Sequence, residues 1–527
     1  MDSKRTYYVS SLHGDDSNDG TSKDSPFRSL KKINRQKREP GDRILLERGS
    51  VFDEEYLHIF GGGTREYPVV VDAYGEGEMP VIAAAGSGLW YQNYGAPLDS
   101  PTHVWKGYVS SAVLLYDAEY ITVRNIEITN QVLLEGEYYN QGDLMNRTGV
   151  SIVAKDGGTL HRIELDNLYI HDVSGNVYDK HLNNGGIYAC ALTPSDESRT
   201  GIARYDGLHI HHCKVERCRR WGIAAGYTYQ HGKFTTLEIP DETARTYGSE
   251  HVVIEHNYLK DIGGDGITPM YCFQPLVQYN VSENIALEMN PDVYTEAGER
   301  AGMTAAAMWP WKCKSALFQY NEASRTRFNQ DGEAWDADSG DGTIYQYNYS
   351  HDNEGGCIMF CEGESVNNIF RYNISVNDGT GTITPVRNID AHIYNNTFII
   401  PEGVPFIRPN MSEGGMLVEN NIIISEGQTA RNEDWHHQTE KAVYHNNLYC
   451  NYQNIPQEDD NGVTAESADQ ILKDPASACE GMRLSENSPA AGAGKWIKGG
   501  AGVDFFGEQA GSRPDIGACF ARTKKQN

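Results

Sequence analysis

No stretch of the 527 residues approaches the roughly 18 apolar residues of a membrane helix, so a membrane-spanning helix is not expected. The opening MDSKRTYYVSS has no apolar signal-peptide core, which leaves a cytoplasmic protein or one secreted after loss of a signal. Basic residues are scarce. The 45 Lys and Arg against 73 Asp and Glu leave a formal charge of −28, which repels nucleic acid and anionic lipid. A polyanionic substrate would need a local basic groove, whereas a neutral sugar meets no such barrier. Cysteine is thin as well: ten residues without dense pairing exclude a small disulfide scaffold and leave free, buried thiols as the expectation.

What is present is punctuation. A unit of strand-type residues, then Asn, then alternating apolar residues recurs as IEHNYL, VQYNVS, FQYNEA, YQYNYS, FRYNIS, IYNNTF, VENNII and YHNNLY. The Asn fall at 257, 280, 321, 348, 373, 396, 421 and 447, at intervals of 23, 41, 27, 25, 23, 25 and 26. The long interval holds an apparent inserted loop, Glu288 to Arg300. β-Branched and aromatic residues with period two exclude helical repeats and predict a β-solenoid, in which the same Asn of successive coils stacks at a bend. VRNIEI at Asn125, LDNLYI at Asn167 and LHIHHCKV at His212 fit as looser early coils. Strand alternation puts His209 and His211 on one face and His212 on the other, so these histidines are not expected to bind a metal.

The ends differ from the middle. YYVSSLHGDDSNDGTSKDSPFRSLKKIN followed by PGDRILLERGSVF reads as strand, polar loop, short helix and strand, a cap over the first coil. LSENSPAAGAG and RPDIGACF read as closure of the far end. Together, cap, Asn-punctuated coils and this ending resemble the right-handed parallel β-helix carbohydrate-active enzymes of the pectate-lyase-like superfold. Within them the chain is similar to glycoside hydrolase family 141. The resemblance implies an all-β fold, with residues 1–85 as cap and first strands and 86–527 as the helix, in one continuous domain. It also implies fucoside- or xylan-type substrates.

A second strand in each coil opens with Gly: Gly186, Gly222, Gly266, Gly332 and Gly356. Aligned on that Gly, the third and fifth following places are mainly apolar and point inward: Ala189 and Ala191, Ala225 and Tyr227, Pro269 and Tyr271, Trp335 and Ala337, Met359 and Cys361. The fourth and sixth places face outward and carry acids in two coils alone, Asp336 with Asp338 and Phe360 with Glu362. This register sets Asp338 about 4.8 Å from Glu362 and Asp336 about 8 Å from it, separations suited to retaining and inverting glycosidases respectively. The expected catalytic residues are therefore Asp336, Asp338 and Glu362. Trp309 and Trp311 offer faces for a pyranose, at least one of them exposed. Tyr229, Gln230, His231, Asp265, Glu364 and Arg387 are candidate hydroxyl-binding residues.

Other readings use the same residues. Asp336, Asp338, Asp341 and Gly342 mimic a calcium loop, but the twelfth place, where a bidentate Glu belongs, is Tyr347. Calcium would point to a polysaccharide lyase or uronate epimerase. Stacking aromatics without paired carboxyls would point to a non-catalytic carbohydrate-binding protein, and solvated turn acids to no site at all. The reading adopted is a glycoside hydrolase acting on a neutral oligo- or polysaccharide, with no cofactor and no dedicated metal. No stripe specifies an oligomeric state.

Overall fold

The computed structural model describes residues 5–98, 103–133, 145–289, 304–361, 365–385, 388–408, 415–437, 441–477 and 479–521. Contacts group the chain into two compact units, one made chiefly of residues up to 305 and the other chiefly of residues from 306 onward. Each unit winds as a parallel β-helix of the right-handed kind expected, with three short strands to a coil.

In the first unit the strands Thr6–Val9, Arg43–Glu47, Val69–Tyr74, Ile121–Arg124, Thr159–Asp166, Arg204–His211 and Ser249–Glu255 stack in that order. The expected start is there: strand Thr6–Val9, short helix Lys31–Asn34, then Arg43–Glu47 pairing back in parallel onto the first strand. A hairpin strand, Leu89–Asn93, runs antiparallel to Lys106–Tyr116. In the second unit Leu317–Gln319, Ile344–Gln346, Asn368–Arg371, Ala391–Tyr394, Met416–Glu419 and Ala442–His445 form one face. Glu333–Asp336, Gly356–Phe360 and Ile383–Pro385 form another. Among the described residues no helix is long and apolar enough to cross a membrane.

The repeated Asn explains why the coils stack in register. In the second unit Asn321, Asn348, Asn373, Asn396, Asn421 and Asn447 are all buried, and each of the first five donates its backbone N–H to Oδ1 of the next at 2.9–3.0 Å. Each Nδ2 also donates to that Oδ1, so no buried polar group of the ladder is left open. Asp459 ends the run, accepting from Asn447 N and Nδ2 at 3.1 and 3.0 Å.

The residue before each ladder Asn takes a left-handed conformation and turns the corner. Tyr320, Tyr347 and Tyr372 have φ of 55°, 57° and 52°. For a bulky residue this conformation is strained. Stacking of Tyr320 on Tyr347 and of Tyr347 on Tyr372, at 5.0 and 5.8 Å, offsets the strain. Asn125, Asn167 and His212 belong to this corner place, with φ of 60°, 50° and 51°, and not to the ladder. The residues that follow them, Ile126, Leu168 and Cys213, are the buried ones.

The C-terminal PDIGACF packs into the second unit as expected: Ile516, Ala518 and Cys519 join one buried cluster with Ile422, Ile424 and Leu448. All ten cysteines are free thiols, eight of them buried.

Candidate active site

Three coils of the second unit present an outward wall. Met308 pairs with Trp335 and Trp311 with Asp338, which sets Trp309 level with Asp336. On the next coil Asp336 pairs with Met359, and Cys361 donates its N–H to the carbonyl of Ala337, which brings Cys361 level with Asp338. Thr384 continues the first column beyond Met359. The wall therefore reads Trp309, Asp336, Met359, Thr384 along one column and Trp311, Asp338, Cys361 along the other.

The facing expected for the first acidic strand holds. Trp335 and Ala337 are fully buried, and Trp335 packs against Tyr345 at 5.8 Å, while Asp336 and Asp338 share the opposite face. Carboxylate oxygens of both and the Cys361 sulfur lie within 4.8 Å of one another. Ser339 Oγ donates to Asp338 Oδ1 at 2.7 Å. Asp336 and Asp338 are only 4% and 9% exposed, so they sit in a recess and not on an open surface. Trp309 is buried, Trp311 is partly buried, and their rings meet edge to face at 6.2 Å, so neither indole is the exposed platform expected.

The next coil is one residue out of the expected register. Gly355, not Gly356, is the counterpart of Gly332: its N–H bonds the Gly332 carbonyl at 3.0 Å, and Gly356 pairs with Glu333. A one-residue slip reverses every side chain of a strand. Met359 and Cys361 therefore stand outward and Phe360 inward, the reverse of the sequence expectation. Glu362 and Glu364, like Arg387, lie outside the described residues, as does the inserted loop from residue 290 onward. In the first unit a bulge at Gly226, whose φ of 101° suits glycine, sets Tyr227 level with Cys190 and out of the inward column.

Other expected binding residues sit in the first unit and have local partners. Tyr229 Oη and Gln230 Nε2 both donate to Glu197 Oε2, at 2.6 and 3.2 Å, and His231 opens the short turn His231–Lys233. Asp265 is fully buried in an ion pair with the equally buried Arg220, so it holds the interior together and does not line a binding surface. Asp341, the third acid of the calcium-like pattern, accepts from Ile239 N and Asn367 Nδ2 at 2.9 Å each and pairs with Lys314. Those contacts occupy both its oxygens.

One acid beside the wall was not singled out from the sequence. Glu333 is fully buried, and Arg408 reaches its Oε1 at 3.1 Å, with Thr384 Oγ1 donating to the same oxygen at 3.3 Å. Burial pushes the Glu333 carboxyl up, the charge of Asp331 pushes the same way, and Arg408 opposes both. Arg408 passes beside Gly381, where an added Cβ would come within 2.5 Å of the Arg408 Cβ.

No family model matches the chain. A GH136 lacto-N-biosidase from Eubacterium ramulus, solved as native protein and as selenomethionine derivative, is 56% identical, with a TM-score of 0.77 over 79% of this chain and 67% of that one. The chain belongs to glycoside hydrolase family 136. The lacto-N-biosidase of Bifidobacterium longum subsp. longum is 39% identical over 97% of this family 136 chain, which spans 36% of that relative's length. XylC in complex with xylose, 12% identical with a TM-score of 0.53, shares the fold alone. Family 136 replaces the expected family 141, the resemblance on which fucoside- or xylan-type substrates were expected. The ladder, cap and closing segment that carried that resemblance serve the scaffold, and a scaffold does not distinguish one family's chemistry from another's.

Proposed function

We propose that the chain is a glycoside hydrolase of lacto-N-biosidase type, cleaving the glycosidic bond that joins a lacto-N-biose unit to the rest of an oligosaccharide. Asp336 and Asp338 are its carboxyl pair. The observation that carries this reading is the placing of two recessed carboxylates on one strand face, within 4.8 Å of each other, in a family 136 chain.

Two carboxyls that close compete for charge, so one holds its proton more tightly than an isolated acid and can protonate the leaving oxygen while the other stays ionised. The short separation leaves no room for a water between carboxylate and anomeric carbon. It therefore favours attack by the carboxylate itself and net retention over the wider geometry of inversion. Ser339 orients Asp338 by donating to its Oδ1. The chemistry uses no cofactor.

The test compares wild type with Asp336→Asn, Asp338→Asn and Asp331→Asn on a lacto-N-biose glycoside. Losses of about 100-fold or more are expected for the first two variants, in line with general acid–base and nucleophilic roles, and a loss under about tenfold for the third. Proton NMR of the first product should show the starting anomeric configuration. Full activity of Asp336→Asn with loss in Asp331→Asn would move the pair to Asp331 and Asp338, and inverted product would remove the nucleophile assignment.

A further inference from the structure

On the first unit, three ligating atoms from two adjacent coils converge. Asp166 and His211 pair across the strands Thr159–Asp166 and Arg204–His211. His212 follows at the corner, and its φ of 51° breaks the strand alternation that would send its ring to the opposite face. His211 Nδ1 lies 2.8 Å from His212 Nδ1. Asp166 Oδ1 lies 3.3 Å from the first and 3.2 Å from the second.

That triangle has the size of a metal's ligand face. Bonds of about 2.0–2.1 Å in a tetrahedral site place ligand atoms about 3.3 Å apart. Two edges match and the third is shorter. The proton arrangement agrees. His211 Nε2 faces Glu164 Oε1 at 3.1 Å, and the other Glu164 oxygen is held by Thr122 Oγ1 at 2.8 Å. A carboxylate there fixes the proton of His211 on Nε2 and turns the Nδ1 lone pair toward His212 and Asp166, the arrangement by which outer carboxylates orient metal-binding imidazoles. With the proton of His212 likewise on Nε2, three lone pairs would meet at one point, an arrangement that a bound cation satisfies as well as a ring proton does.

We propose that Asp166, His211 and His212 bind one divalent first-row transition ion, zinc being the type case, with water completing the tetrahedron. Two imidazoles and one carboxylate suit zinc, nickel or copper and not calcium, which takes all-oxygen cages. Because Asp166 and His211 come from neighbouring coils, the ion ties one coil to the next at the corner.

The experiment uses the untagged full chain, stripped with chelator, desalted and titrated with zinc chloride by calorimetry, alongside His212→Ala, Asp166→Asn and His251→Ala. One equivalent of zinc is expected for wild type and for His251→Ala, which removes an exposed histidine paired with Asp206. An affinity loss of about tenfold or more is expected for the other two, as for loss of one metal ligand. The His212 side chain is 58% exposed, so its removal leaves the fold in place, which circular dichroism checks. Cobalt should give visible absorption bands in wild type that His212→Ala lacks. The proposal is overturned if wild type binds no zinc, binds it no more tightly than His212→Ala, or loses it equally in His251→Ala; each result would mean that a proton fills the triangle or that any bound ion is adventitious.

Discussion

Arg408 and Glu333 are 75 residues apart in sequence, yet each is the other's only described ionic partner within salt-bridge distance, and both are buried. Breaking such a pair from one side leaves an uncompensated charge. Arg408→Met is therefore expected to destabilise by about 3–5 kcal/mol at pH 8, measured by urea unfolding. The sign with pH follows from the proton. Without Arg408, the raised folded-state pKa of Glu333 rises further, so its contribution is fully present below the ordinary glutamate range and is lost as pH rises through the folded value. The defect should accordingly shrink toward pH 5, and a variant equally unstable at both values would refute this account. At this scale Asp336 and Asp338 were legible because alternation with the apolar Trp335 and Ala337 fixes their face. Glu333 carried a weaker signal, an acid directly after Gly332 at the start of the strand. Arg408 carried none, since nothing local ties it to a strand three coils earlier.

Among elements, the ladder states most clearly what each coil needs from its neighbour. Asn373 Oδ1 accepts both the backbone N–H and Nδ2 of Asn348, and its own Nδ2 donates to Tyr345 O at 3.0 Å. Asn373→Ala leaves that N–H buried and unpaired, a cost of about 2–4 kcal/mol when the loss of packing is included. Asn373→Asp keeps the acceptor and should cost less, as Asp459 shows at the ladder's end. Thermal denaturation of the two variants ranks them, and equal losses would mean that the acceptor is not what matters. The repeat itself was readable because Asn recurs at one spacing. The register between Glu333–Asp336 and Gly356–Phe360 was not, because the sequence offers two adjacent glycines, Gly355 and Gly356, and only backbone pairing decides between them. The early coils misled in the same way: Asn125 and Asn167 stand at the corner, one place before the ladder, where Asn is favoured for its tolerance of positive φ.

For the molecule as a whole, the ten free thiols make a checkable statement. Eight are buried and only Cys361 and Cys479 are partly exposed. Burial raises the thiols of Cys213 to about 12 and of Cys450 and Cys479 to about 11. Thiolate is the reacting form, so the folded protein should give at most two fast equivalents with a thiol-reactive dye at pH 8, and ten in denaturant. More than two fast equivalents in the folded state would show the coils opening in solution. The sparse, unpaired cysteines and the stacked coils were legible from composition and period. The grouping of contacts into two units was not, because the repeat runs on through both with a single long interval.

The Asn ladder also has a direction. Each coil's ladder amide is satisfied by a side chain that comes about 25 residues later, so during synthesis the newest coil always carries one donor that only its successor can quiet. Such a chain lengthens or shortens cleanly in whole turns, since excising one complete coil rejoins equivalent partners, whereas inserting a single residue misaligns every rung beyond it. The carboxylate of Asp459, which accepts without needing to pass the bond on, is what lets the series stop.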